Sequence, residues 1–282
     1  MSVVRLGLIG DNIARSQSPV LHVEAGCLCG LNVTYERIIP PDLGIDFDAA
    51  FERCRSAGFR GINVTYPYKE AVVRRVAVED PLTAQIGACN TVLFDPDIPR
   101  GHNTDHSGFV GAFRQSFPQA RPGIVAMVGA GGVGKAIAFA LERLGAEELR
   151  LFDTDRRRAS SLAASIEAAG AAMRVVVCAD AAAAADRADG LVNCTPLGMV
   201  GHPGSAIPGD LMATARWAFD AVYTPVDTQF LTEARARGIS IMSGYELFFH
   251  QGVDAFRLFT GCEVDQGALR AALARRQEDE AA

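Results

Sequence analysis

Apolar runs of strand length recur along this chain, and stretches with apolar residues three or four apart follow most of them. Residues 3–9 are the first run, and Gly10 opens a polar loop behind it. Pro19 suits the first turn of a helix with Ser18 as its cap, running towards Gly30. Residues 32–38 read as a second strand, 47–58 as an amphipathic helix and 62–64 as a third strand. Pro67 forces an extended residue before it and starts a helix that carries Lys69. Short strands within 87–94 and 100–109 flank Asp-Pro-Asp-Ile-Pro as a hairpin, and a helix follows from Ser107 to Phe117. Pro118 and Pro122 then bracket a linker, a plausible domain boundary.

Past that linker the alternation becomes regular. Residues 124–128 are an uninterrupted apolar strand, and Val133, Ile137, Leu141 and Leu144 mark a helix. Strand 149–152, a helix lined by Ala159, Leu162, Ala163 and Ile166, and strand 173–177 come next. The alanine-rich tract 179–189 lies between strands and reads as a helix. Stretches 190–199, 217–225 and 239–242 supply the last strands. Strands linked by helical crossovers make a doubly wound sheet, so the fold expected is α/β in two domains: an open, mainly parallel α/β domain, then a Rossmann domain. Residues 243–261 form one amphipathic helix, and the acidic, arginine-rich tail beyond is expected to fray.

The strand–helix junction at 129–134 carries chemistry. Gly129, Gly131 and Gly134 stand in G-x-G-x-x-G spacing, with Ala130, Gly132 and Val133 completing the turn. The first glycine allows a tight turn, the second lets backbone approach a pyrophosphate, and the third packs helix against strand. Asp153 ends the next strand, about 20 residues beyond the last glycine, where a dinucleotide fingerprint places its acid. A carboxylate there accepts the ribose hydroxyls of NAD and repels the 2′-phosphate of NADP. Arg156, Arg157 and Arg158 follow and can pair with a phosphate, or simply form a solvated first helical turn. NAD is favoured, with NADP as the alternative.

Composition narrows the class. The 282 residues are 49% hydrophobic and 21% charged, enough for two domains with their own cores. A net charge of −6 without a basic stripe argues against nucleic-acid binding. No run approaches the roughly 20 apolar residues of a membrane span. The N-terminus enters a strand at once, leaving no room for a signal peptide. Seven cysteines without a C-x-x-C suggest mostly buried thiols in a reducing compartment, and no metal-ligand cluster is present. A cytoplasmic enzyme fits.

Polar residues also gather where the first domain's strands end. Ser16 and Ser18 place two hydroxyls at a strand's carboxyl end, although both can equally serve only to cap the helix. Asn63, Thr65 and Lys69 can converge on one ligand from a strand end and the following turn. Asn90 precedes one hairpin strand, and Asn103, Thr104 and Asp105 follow the other, where Asp105 also reads as a helix cap.

Taken in order, SQSP, NVTYPYK, GACNTV, NTD, GAGGVGKA, NCTPLGM, DAVYTP and HQGVDAF resemble the shikimate/quinate dehydrogenase family over nearly the whole chain. The resemblance implies a substrate-binding catalytic domain at 1–105, an NAD(P)-binding Rossmann domain at 106–246, and C-terminal helices at 247–282 returning to the first domain. It implies oxidation of the 3-hydroxyl of a cyclic carboxylic acid by hydride transfer to NAD(P), without a metal. Ser16 and Ser18 would bind the substrate carboxylate. Asn63, Thr65, Asn90 and Gln251 would bind ring hydroxyls or position Lys69, with Tyr223 nearby. Lys69 and Asp105 would be the catalytic pair, and Thr195, Pro196 and Gly244 would join Arg158 and the glycine turn around the cofactor. The chain would act as a monomer or homodimer.

Departures from the family pattern also bear on function. His22 is followed by Val23 instead of asparagine, and Tyr245–Glu246–Leu247 replaces a glycine–methionine segment. Asp153–Thr154–Asp155 stands where many NADP enzymes carry Asn-Arg-Thr, which resembles the NAD-preferring quinate/shikimate branch. Alternatives are an NADP-dependent shikimate dehydrogenase of aromatic biosynthesis, an aminoshikimate relative, and a non-catalytic NAD-binding sensor on the same fold.

Overall fold

The computed structural model describes residues 3–281 and divides into two compact units, Met1–Thr104 with Gln251–Ala282, and Asp105–His250. The first unit begins with β1 (Val4–Ile9), α1 (Ser18–Leu28), β2 (Val33–Ile38), α2 (Pro40–Leu43), α3 (Phe47–Ser56) and β3 (Gly61–Val64). A 3-10 turn at Ala71–Arg75, α4 (Pro81–Ile86), β4 (Thr91–Leu93) and β5 (Arg100–His102) follow. The sheet runs β2-β1-β3-β4-β5, parallel where β1 meets β2 and β3, antiparallel in the β4–β5 hairpin and where β4 meets β3. One face packs on α3 through Ile9, Ile62, Val64, Val92, Phe47 and Phe51.

The second unit holds α5 (Thr104–Ser116), β6 (Ile124–Val128), α6 (Gly132–Arg143), β7 (Glu148–Phe152), α7 (Arg156–Ala168), β8 (Arg174–Val177) and α8 (Ala181–Ala185). Then come β9 (Gly190–Asn193), β10 (Trp217–Asp220), α9 (Gln229–Ala236), β11 (Ser240–Met242) and the first turns of α10 (Gly244–Thr260). Its six strands are all parallel in the order β11-β10-β9-β6-β7-β8. Sheets covered on both faces need continuous apolar strands, which the buried Val125, Met127, Leu149, Leu151, Leu191 and Phe219 provide. The order reverses between β6 and β9, the position where such sheets open a ligand crevice at their carboxyl ends.

Several expectations need correction. Ser18 does not cap α1: the cap is Gln17, without a side-chain bond, and Ser18 is the first helical residue. Lys69 is not on a helix started by Pro67. It lies in a turn before the 3-10 segment, because its carbonyl accepts the Cys89 N–H at 2.8 Å and is lost to a helical ladder. The helix expected at 107–117 begins at Thr104, whose N–H is held by Asn90 Oδ1 at 2.8 Å. The tail is helical as α11 (Gln266–Ala281). Its buried Leu269, Ala272 and Leu273 form a stripe against α1, and Arg276 reaches Glu24 at 2.7 Å. The cysteines are less buried than expected: Cys54, Cys89 and Cys194 are buried, Cys29, Cys178 and Cys262 half-buried, and Cys27 exposed.

Candidate active site

In the first unit, the loop after β1 and the turn after β3 are fastened together. Asp11 N–H donates to the Tyr66 carbonyl at 3.1 Å, and the Tyr68 hydroxyl donates to Asp11 Oδ1 at 2.5 Å. Burial, then this carboxylate, pushes the Tyr68 phenol up to about 12. A Cβ on Gly10 would stand 2.9 Å from Ile13 and 3.2 Å from the Tyr66 carbonyl, so only glycine lets the segments lie this close. Thr65 and half-buried Lys69 share that turn, closed by Tyr68 N–H to the Thr65 carbonyl at 2.8 Å.

Ser16 and Ser18 are both buried, with hydroxyl oxygens 3.1 Å apart. Ser16 Oγ accepts the Ser18 N–H at 3.2 Å, and Arg37 holds the Ser16 carbonyl from Nη2 at 2.7 Å. The pair therefore forms a fixed two-hydroxyl group at the start of α1, beside N–H groups that a helix leaves without partners.

Asn63, Asn90 and Gln251 meet in one amide cluster. Asn63 Nδ2 donates to the Asn90 carbonyl at 3.2 Å and to Thr91 Oγ1 at 3.0 Å. Asn90 Nδ2 reaches Thr104 Oγ1 at 2.9 Å and Gln251 Oε1 at 3.3 Å. Thr91 and Thr104 are both buried; Thr91 was not singled out from the sequence although it adjoins Asn90, and Thr104 was noted only beside Asp105. Asp105, 3% exposed, lies in the first turn of α5 directly after Thr104.

The second unit fits a dinucleotide. Gly129 has φ of +104°, and a Cβ there would stand 2.8 Å from the Cys194 carbonyl. A Cβ on Gly134 would overlap the Gly129 carbonyl oxygen, whereas one on Gly131 would find only Arg158 Nη1, 4.0 Å away. Backbone crowding at two glycines and open space at the middle one suit a pyrophosphate approaching the start of α6. Ala130, Gly132 and Val133 complete that loop. Asp153 is fixed at the end of β7: Oδ2 accepts the Ala130 N–H and Oδ1 the Asp155 N–H, each at 2.8 Å. Arg157 instead pairs with Asp155 and is 92% exposed, the solvated-turn reading.

The loops after β9 and β10 are organised by a carboxylate that sequence reasoning missed. Asp220, 0% exposed, accepts from Asn193 Nδ2 at 2.9 Å, Val222 N–H at 3.0 Å and Thr228 Oγ1 at 2.6 Å. Asn193 Oδ1 in turn accepts from the Thr195 N–H and hydroxyl at 2.9 and 2.7 Å, fixing Thr195 and the following Pro196. Tyr223 stacks on Phe248 with centroids 5.1 Å apart, and a Cβ on Gly244 would meet the Ala221 and Val222 carbonyls at 2.7 Å. Both strands end earlier than their apolar runs, because Asn193 and Asp220 turn the chain.

Burial pushes the Asp220 carboxyl up to about 6, against the three hydrogen bonds that pull it down. Unfolded, it would titrate near ~3.9, so the folded state holds its proton more tightly. This group's contribution therefore falls as pH rises from about 4 to about 6. Between pH 7 and pH 5, wild type should gain about 1 kcal/mol relative to Asp220→Asn in urea unfolding. Parallel pH profiles for the two proteins would contradict this.

Among the described residues no cluster of three or more His, Cys, Asp or Glu suits a metal ion, and no helix is long and apolar enough to cross a membrane. A family profile described as the shikimate dehydrogenase substrate binding domain matches residues 8–92, and one for the shikimate 5′-dehydrogenase C-terminal domain matches 244–274. A quinate/shikimate dehydrogenase (NAD(+)) of Corynebacterium efficiens is 40% identical, over 95% of this chain and 96% of its own. A shikimate dehydrogenase (NADP(+)) of Arthrobacter sp. is 38% identical, over 94% and 92%. The solved structure of quinate dehydrogenase from Corynebacterium glutamicum in complex with NAD superposes with a TM-score of 0.87 at 37% identity, covering 97% of this chain and all of that one.

Proposed function

The chain belongs to the shikimate/quinate dehydrogenase family, and from that premise we propose that it oxidises the 3-hydroxyl of shikimate or quinate with NAD as the preferred hydride acceptor. At the coarser level it is an NAD(P)-dependent oxidoreductase acting on CH–OH. In this reading the first unit, including the C-terminal helices, binds the substrate, and the second binds the dinucleotide. Ser16 and Ser18 hold the carboxylate; Asn63, Thr65, Asn90 and Gln251 hold ring hydroxyls, and Tyr223 also contributes to substrate binding.

Bound at the glycine turn, the dinucleotide supplies a nicotinamide that accepts hydride. The chain's own residues handle the proton. Lys69 Nζ takes it from the 3-hydroxyl during oxidation and returns it in the reverse direction. Asp105 accepts a hydrogen bond from a substrate hydroxyl and orients the lysine, a positioning role. Thr195, Pro196 and Gly244 shape the nicotinamide end of the cofactor site.

The observation behind NAD is Asp153, locked by two backbone N–H groups at the end of β7. A 2′-phosphate brought there meets a second negative charge. NADP use is the second reading, favoured by the Arg158 guanidinium above Gly131. Initial rates with each cofactor test the two. Wild type should favour NAD in kcat/KM by at least about tenfold, the ratio that ~1.4 kcal/mol gives, and Asp153→Ala should narrow that ratio. A wild type preferring NADP, or an unchanged ratio in Asp153→Ala, would remove Asp153 as the discriminator.

A further inference from the structure

Behind Asn63 lie two rings for which the proposed reaction has no role. His22, on α1 and 1% exposed, stacks on Tyr35 of β2 with centroids 4.8 Å apart and planes 11° apart. Phe256 and Phe259 of α10 pack against the same imidazole at 6.2 and 5.7 Å. Tyr35 points its hydroxyl at Asn63 and donates to Oδ1 at 2.8 Å. Asn63 already spends both amide hydrogens, on the Asn90 carbonyl and Thr91 Oγ1. Turning the amide over would set its oxygen against the Asn90 carbonyl, so its orientation is fixed. With both hydrogens spent, the amide can meet a ligand only as an acceptor, through the Oδ1 that Tyr35 and the His22 ring also engage.

We propose that Tyr35, held by its stack on His22, is a positioning residue for substrate recognition: it aims the Asn63 oxygen so that this amide recognises a ring hydroxyl only as a hydrogen-bond donor. A hydroxyl constrained in this way directs its lone pairs away from Asn63, which fixes the ring's rotation about its carboxylate anchor. Burial pushes the His22 imidazolium down to about 3, partly opposed by Asn63, so the stacking ring is neutral at working pH. It packs on Tyr35 and bonds Asn63, and proton transfer stays with other groups.

The inference rests on the reading in which Asn63 binds substrate, and a double-mutant cycle on the full-length enzyme tests it. Tyr35→Phe keeps the ring and its stack and removes one hydrogen bond. It should raise KM for shikimate or quinate about tenfold while leaving KM for NAD within twofold. In an Asn63→Ala background the same change should alter KM less than twofold, because the amide it aims is gone. Thr91→Val, which removes the partner on the other side of the amide, should also raise KM for the cyclic acid and spare NAD. Tyr35→Phe kinetics within twofold of wild type, or an equal factor with and without Asn63, would overturn the inference. A wild type inactive on both cyclic acids would overturn the underlying reading and this inference with it.

Discussion

Lys69→Ala should lower kcat by about 10³-fold, within the range that a positioned general acid–base contributes, while the dissociation constant for NADH stays within a factor of two. The lysine is half-buried in a turn held by backbone bonds. Its carbonyl is bonded to Cys89 N–H, Thr65 closes the turn through Tyr68, and Tyr68 is tied to Asp11. Removing the amine should therefore leave the surrounding backbone and the dinucleotide cradle intact. Steady-state rates together with NADH fluorescence titration separate these effects. Full turnover in Lys69→Ala would end the proposed role, and parallel losses in turnover and NADH affinity would point to a structural role instead.

Gly134→Ala should weaken NADH binding by about fivefold to about 150-fold, as overpacking costs of about 1–3 kcal/mol imply. The smallest side chain at this position meets backbone that has nowhere to go. The added carbon would overlap the Gly129 carbonyl oxygen, lie 3.1 Å from its carbon, and come 3.5 Å from Cys194 Cβ. The glycine turn must then open or α6 must move off the sheet, and either change displaces the N–H groups proposed to hold the pyrophosphate. NADH titration of the variant beside wild type measures the loss. An unchanged affinity would mean that the turn is not the cradle.

The sequence made the Rossmann unit legible because its signals are local. Apolar runs, the glycine spacing and Asp153 lie within a stretch of about 30 residues, the length of one βαβ unit. Asn63, Thr65, Lys69, Asn90 and Asp105 stood out as a polar group for the same reason: each lies at or just beyond a strand end. The residues that hold them in place did not. Thr91 faces Asn63 only because β3 and β4 pair antiparallel in that register, a relation no single segment displays. Tyr35 and His22 read as an ordinary strand aromatic and a helix histidine until their stack is seen. Asp220 looked like one more residue in an apolar strand, although its three hydrogen bonds organise the loops after β9 and β10.

Lys69 shows the opposite error. A proline followed by Tyr-Lys-Glu-Ala-Val-Val resembles a helix start, and local propensity favours it. The tertiary bond from Cys89 N–H to the Lys69 carbonyl decided otherwise. The tail failed differently again: its charges concealed Leu269, Ala272 and Leu273, which suffice to dock α11 on α1.

The most direct test follows one hydrogen atom. Shikimate deuterated on the carbon that bears the 3-hydroxyl is incubated with the enzyme and NAD, and the reduced dinucleotide is analysed by mass spectrometry. Oxidation at that carbon puts the deuterium on the nicotinamide, one per turnover. Reduced dinucleotide without deuterium, or no reduction at all with either shikimate or quinate, would contradict the assignment.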